Sequence, residues 1–215
     1  MQRTKVRWVV AALFVLASRL VAAPPAANLV LNPDFAQGLA HWQTSFLNPN
    51  ETKYARNHEW VSVVSAPDGK GKVAKFEFPG PVADSEGVKA CSDLIAIDPT
   101  PGTSYEFGAD VCSAGPSVIL FIEGYQADPT QTVSGDNHFA GYVRVYRATL
   151  FVKAPKDSWS HELRQIKLPK EKRYCPSFIS IKLYAFHPAG QVLFRHVFLR
   201  PVAGPPPPAK ESPRQ

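Results

Sequence analysis

Between Asn28 and Val202 the apolar and polar positions alternate over short runs, and no window of about twelve residues or more repeats at helical period. From Lys72 to Phe78, Val73, Lys75 and Glu77 alternate with Ala74, Phe76 and Phe78. From Ser104 to Cys112, Glu106, Gly108 and Asp110 alternate with Tyr105, Phe107, Ala109 and Val111. Phe178 to Phe186 sets Ile179, Ile181, Leu183 and Ala185 on one side and Ser180, Lys182 and Tyr184 on the other. This is the pattern of antiparallel strands with one face on a core and one turned outward. Further strands are expected over Ser117 to Tyr125, Tyr142 to Val152, His161 to Leu168 and Val192 to Leu199, with Pro-Asp-Gly, Pro-Gly and Asp-Pro turns between elements. The fold class is all-β, a two-sheet antiparallel β-sandwich or jelly roll.

Composition supports a packed domain. Hydrophobic residues make up 45% of the 215 and charged ones 20%, which excludes disorder as the overall class. The 21 prolines argue against a helix bundle, because an interior proline removes a backbone donor and collides with the preceding turn.

The net charge of +6 is concentrated at the front of the chain. Residues 1–23 read as a signal peptide, with Arg3, Lys5 and Arg7, an apolar run from Trp8 to Ala17, and Val21-Ala22-Ala23 as a small-residue cleavage site. The run is too short to span a bilayer, which takes about twenty apolar residues. Removing the leader with Arg3, Lys5, Arg7 and Arg19 takes the 24 Lys and Arg to 20, against 18 acidic residues. A nearly neutral mature chain lacks the basic stripe that phosphate backbones need, so nucleic acid is not an expected partner. Residues 24–27 read as a short linker, 28–203 as the β-sandwich, and 204–215, opening Gly204-Pro205-Pro206-Pro207-Pro208, as a Pro-rich disordered tail. The expected location is secreted or periplasmic.

Export permits disulfides, and three cysteines leave one over. A hairpin turning on Asp98 to Gly102 would bring Cys91 and Cys112 to within one residue of register, which makes them the favoured pair; pairing with Cys175 or no pairing at all stays open, as does a turn that crosses between sheets. No C-x-x-C or H-x-x-x-H spacing accompanies them, so zinc is not expected.

Catalytic signatures are sparse. There is no G-x-S-x-G elbow, and His161-Glu162 lacks the second histidine of a zinc helix. Gly135-Asp136-Asn137-His138 reads as a turn. Glu123 and Asp110 are the strand acids to test as a glycosidase pair, which needs two carboxyls flanking one cleft. The chain reads as a non-enzyme with no cofactor.

Asn28-Leu-Val-Leu-Asn-Pro-Asp-Phe-Ala-Gln-Gly-Leu-Ala-His-Trp42 resembles the opening of the carbohydrate-binding modules found beside cellulases and xylanases. Pro101-Gly102-Thr103-Ser104-Tyr105 looks like the family's Pro-Gly-x-x-Tyr motif, Asp157-Ser158-Trp159 like its late Trp, and Val192 to Leu199 like its closing strand. The resemblance spans about residues 28 to 202 and implies a galactose-binding-like β-jelly roll that binds rather than catalyses. It also implies core positions for Trp42 and Trp159. Members often carry acids for a structural calcium site where this chain has Ala36, Arg195 and His196, so no calcium is expected.

Sugars present apolar C–H faces and hydroxyl rims, so a site wants flat aromatics beside hydrogen-bonding side chains on a rigid sheet. Strand alternation pairs Lys182 with Tyr184 and Glu123 with Tyr125, and sets Tyr142, Arg144 and Tyr146 in a row. Trp60, following the polar run Asn57-His58-Glu59, is read either as a further exposed stacking platform or as a buried ring. The expected carbohydrate-binding residues are Trp60, Glu123, Tyr125, Arg144, Lys182 and Tyr184, with a polysaccharide or glycan as ligand. The alternative is a jelly roll that docks a protein partner in an envelope or extracellular complex. Amino-terminal sequencing of the exported protein is expected to begin near Pro24; a retained Met1 would refute the leader.

Overall fold

A computed structural model describes residues 26–45, 57–132, 139–153 and 156–202. The expected leader and tail and the Gly135–His138 turn lie outside the described residues. No helix among those residues is long and apolar enough to cross a membrane.

Among the described residues eleven strands form two antiparallel sheets: β1 (Trp42–Gln43), β2 (Val61–Ser65), β3 (Lys72–Phe78), β4 (Val88–Ser92), β5 (Ile95–Ala96), β6 (Ser104–Ser113), β7 (Ser117–Ala127), β8 (Tyr142–Phe151), β9 (Ser160–Lys167), β10 (Phe178–Phe186) and β11 (Gly190–Pro201). A short helix α1 (Gly80–Ser85) precedes β4. The first sheet runs β1-β4-β10-β7-β8, with β5 also paired to β10; the second runs β2-β3-β11-β6-β9. This is the expected two-sheet jelly roll.

The core forms where the inner faces meet. Ile179, Ile181 and Leu183 of β10 and Leu120 and Ile122 of β7 pack against Phe76, Phe107, Val111, Phe194 and Leu199 of the second sheet, all fully buried. Burying each such side chain is worth about 1.5–3 kcal/mol. Side chains of Asn28 and Asn32 hold the segment before β1 in place. Asn28 Oδ1 accepts the N–H groups of Val30 and Leu199 (3.1 Å each), and its Nδ2 donates to the Val197 carbonyl (2.9 Å), tying the first described turn to the last strand. Trp42 is buried, as expected, with its indole N–H donated to the Asn32 carbonyl. Trp159 departs from expectation: it packs with Ala66, Val73 and Leu193 in a small outer cluster of the second sheet, away from the main core.

The cysteine pairing is corrected. All three cysteines are free thiols. The reason lies in the turn after β5. β5 belongs to the first sheet and β6 to the second, so Asp98 to Gly102 crosses between sheets instead of closing a hairpin. The buried Tyr105 fixes this crossing, its hydroxyl accepting the Asp98 N–H (2.9 Å) and donating to the Asp98 carbonyl (3.2 Å). Cys91, opposite Lys182, and Cys112, opposite Leu193, therefore sit on different sheets, and both belong to outward-facing rows.

Among the three thiols, Cys91 and Cys175 are buried and Cys112 half-buried. Burial pushes the Cys91 thiol up to about 11, which suppresses its thiolate. Alkylation of the denatured protein is expected to modify three thiols without prior reduction. In the native protein Cys112 should react first. Recovery of a cross-linked Cys91–Cys112 peptide would restore the disulfide.

Candidate functional site

Strand alternation turns one side of the first sheet outward, and the pairing register fixes which side chains meet there. On β10 these are Phe178, Ser180, Lys182, Tyr184 and Phe186. Opposite them on β7 stand Tyr125, Glu123, Phe121 and Ile119. β4 adds Lys89 and Cys91 across from Tyr184 and Lys182, and β8 brings Arg147 opposite Glu123 and Arg144 opposite Tyr125.

Arg144 and Arg147 are three positions apart, an odd spacing that would send them to opposite faces of a regular strand. A bulge between Gly124 and Tyr125 resolves this: Gly124 pairs with Tyr146 and Tyr125 with Arg144, so Val145 is the extra residue. Gly124 suits this position because a Cβ there would lie 2.7 Å from the Pro176 ring and 2.9 Å from the Tyr146 Cβ. The same bulge turns Tyr146 inward against the core. The row of Tyr142, Arg144 and Tyr146 expected from simple alternation is therefore broken.

At the centre is Glu123, 2% exposed although it is on an outward row. Oε1 accepts hydrogen bonds from Lys182 Nζ (2.8 Å) and Arg144 Nη1 (3.1 Å), and Oε2 accepts the Tyr125 hydroxyl (2.9 Å). Arg147 Nε stands 3.9 Å from Oε1. Burial alone would raise the Glu123 carboxyl, but the Lys182 ammonium, the Tyr125 hydroxyl and Arg144 outweigh it and hold the group below the usual carboxylate range. The Tyr125 phenol is pushed upward, first by burial and then by the adjacent Glu123 charge, so it stays a donor.

Aromatic rings surround this cluster. Tyr184 stacks on Phe186 at 5.4 Å and 13°, and its hydroxyl donates to the Glu86 carbonyl. Phe121 lies 6.2 Å from Tyr184 and carries the Arg147 guanidinium 4.3 Å above its ring. Tyr142 meets Phe178 edge-on at 5.3 Å. Beyond Phe186 the face runs into a cleft of about 390 Å³, lined in part by Ile119, Phe151, Phe186 and Lys156.

Of the six expected binding residues, the structure brings together Glu123, Tyr125, Arg144, Lys182 and Tyr184. Trp60 is not among them. It precedes β2 in the second sheet, half-buried against the core and beside Glu77, Phe78 and Gln191, so it is no platform for this site. Tyr125 is fully buried, its ring edge-on to Phe139 at 5.2 Å, and so braces the site from beneath. Phe121, Phe186, Arg147 and Lys89 were missed. Phe121 was within reach of the period-two rule, two residues before Glu123; Arg147 was not, because the bulge shifts the phase.

The glycosidase pair fails on geometry. Glu123 and Asp110 face outward from opposite sheets and do not flank one cleft. Asp110 is occupied elsewhere, bonded to His161 Nδ1 and His196 Nδ1 at 2.7 Å each, with Arg195 Nε at 3.5 Å. Arg195, at one of the family's acid positions, also binds Asp68 (2.8 Å) and lies 4.0 Å over the Trp159 ring. Among the described residues no group of three or more His, Cys, Asp or Glu side chains is arranged to hold a metal ion.

No family model and no curated protein matches the chain at the sequence level. Solved structures do match in shape. A family 16 carbohydrate-binding module is 18% identical over 80% of this chain and 99% of its own, with a TM-score of 0.50. A CBM4 structure is 13% identical over 80% and 99%, also with a TM-score of 0.50. The fold is the jelly roll of carbohydrate-binding modules. A cyclase from Fischerella sp. TAU has it too, at 14% identity, 82% and 98% coverage and a TM-score of 0.52, so the fold by itself does not separate binding from catalysis.

A carboxyl whose folded pKa is lowered adds stability that is full above its unfolded value, about 4.3, and is lost as pH falls through the lower folded value. Below pH of about 4.5 the melting temperature of the wild type should therefore fall more steeply than that of Glu123→Gln. Glu123→Ala, which strands Lys182 on a buried face, should cost about 3–5 kcal/mol at neutral pH. Parallel pH profiles for wild type and Glu123→Gln would overturn the carboxylate's role.

Proposed function

We propose that the chain is an exported, non-catalytic carbohydrate-binding module that holds a glycan across the outward face of the first sheet. The observation that carries this reading is the convergence of Glu123, Arg144, Lys182 and Tyr184 on one face, with aromatic rings on both sides of a hydrogen-bonded charged cluster. Rings supply stacking area for sugar C–H faces, and the charged groups fix hydroxyl orientation. The labour divides by exposure. Glu123, Lys182 and Tyr125 are buried and position the layer above them, while Tyr184 and Tyr142, both half-buried, and Arg144 and Arg147, 25% and 47% exposed at their side chains, reach the ligand. Similarity of fold to the family 16 and CBM4 modules supports the same reading.

Docking to a protein would want a contiguous apolar patch. The exposed large apolar side chains among the described residues, Leu31, Phe151, Leu163 and Tyr174, stand on four separate segments.

Each sugar hydrogen bond exchanges with water and nets about 1 kcal/mol, so affinity should be micromolar or weaker and spread over several contacts. On an array of soluble polysaccharides the protein should bind at least one. Tyr184→Ala should weaken that binding about tenfold while unfolding stays cooperative, and Trp60→Ala should leave it unchanged. Failure to bind any polysaccharide, acidic or neutral, would sink the reading.

A further inference from the structure

The outward faces of the two sheets distribute their charge differently. On the second sheet three outward strand cations have a carboxylate partner: Lys75 with Glu77, Arg195 with Asp68, and Arg200 with Glu106. On the first sheet the outward strand positions among the described residues carry Lys89, Arg144, Arg147 and Lys182 against one strand carboxylate, Glu123. Glu86, whose carbonyl takes the Tyr184 hydroxyl, adds one more acid at the α1 end. This is a local enrichment, because the chain without its leader has 20 basic and 18 acidic residues.

Arg147 is the cation this arrangement leaves directed outward. Both Glu123 oxygens already accept hydrogen bonds from Lys182, Arg144 and Tyr125, and Arg147 Nε stands beyond hydrogen-bond distance at 3.9 Å. Its guanidinium is held over the Phe121 ring at 4.3 Å, with 47% of the side chain exposed. Stacking of this kind fixes the plane of the fork and leaves its N–H edge for an acceptor. Along β8 from Arg147 to Phe151 the face extends about 13 Å toward the adjoining cleft, whose lining has Lys156 as its one charged side chain.

Resting on the glycan-binding reading, we propose that the ligand is an acidic polysaccharide, its carboxylate or sulfate oxygens taken by Arg147, with Lys156 meeting a further anionic group along the chain. A guanidinium fork matches two anionic oxygens, whereas neutral hydroxyls supply no charge to offset a cation-rich face. Neutral chains of the same length should therefore bind more weakly at low salt.

Titration calorimetry of the purified protein with polygalacturonate, alginate, heparin, xylan and a neutral β-glucan tests this. Polygalacturonate or alginate binding marks carboxylate as the recognised group, and heparin binding alone marks sulfate. Affinity for the acidic chains should exceed that for neutral ones by about tenfold or more and fall as salt rises from about 50 to 500 mM. Arg147→Gln should lower it about tenfold with an unchanged melting temperature, and Arg147→Lys should recover part of the loss. Equal or tighter binding of xylan or β-glucan would overturn the acidic class and leave the glycan reading standing. Acidic binding untouched by Arg147→Gln would move the anion site elsewhere and overturn the assignment. If none of the polysaccharides binds, the glycan reading falls together with this one.

Discussion

The buried carboxylate of Glu123 is the constraint on which the outward face of the first sheet depends. Removing a carboxylate from water costs several kcal/mol, and only close, well-aligned donors offset it. Glu123 has three such donors: its own strand supplies Tyr125, β10 supplies Lys182 and β8 supplies Arg144. The inner face of the same strands is set by Ile122 against Ile181 and Leu120 against Leu183. A slip of one residue would therefore carry Lys182 into the core as well as expose the aliphatic row. Apolar burial and charge pairing specify the same register from opposite sides of the sheet.

The site is layered as a result. The lower layer of Glu123, Lys182 and Tyr125 is nearly inaccessible, and the upper layer of Arg144, Arg147, Tyr184 and Phe186 is partly open. The upper layer is held from below by the hydrogen bond of Arg144 to Glu123 and from the side by Phe121 stacked against Arg147 and Phe186 against Tyr184. The second sheet uses its outward charges for pairing: Arg195 divides itself between Asp68, Asp110 and the Trp159 ring, and Asp110 is shared by two histidines. The jelly roll thus presents two faces of different chemistry, although their strands have similar hydrophobic patterns.

Much of the fold was legible because period-two alternation is a local property. The strands around Lys72, Ser104, Ser117 and Phe178 can be read from it, and so can the inward residues of β10 and the company of Lys182 with Tyr184. What failed was nonlocal. Asp98 to Gly102 has the composition of a hairpin turn, and nothing local says that it crosses between sheets, so the Cys91–Cys112 pairing could not survive. The bulge at Val145 lies on β8, while the glycine that suits it, Gly124, lies on β7 about twenty residues away, so the shift in phase between Arg144 and Tyr146 cannot be read from β8 alone. Trp60 was read from its polar neighbours in sequence, which do not determine whether an indole meets a ligand or packs against the core. Trp159 was placed in the core by the resemblance, and the structure puts it in a satellite cluster.

The order of strands leaves β8 at the margin of one sheet and β9 at the margin of the other. Arg164 of β9 reaches across and donates its guanidinium to the Thr149 carbonyl of β8. Margins of a sandwich are where a foreign strand would add, because unsatisfied carbonyls and amides are exposed there in a row. Here the row is interrupted by a side chain carrying full charge, and the neighbouring margin bears Lys167, Gln165 and His161, none of which favours a strand laid alongside. The same arginine that joins the two layers thus occupies the Thr149 carbonyl, an acceptor that a strand added at this margin would need.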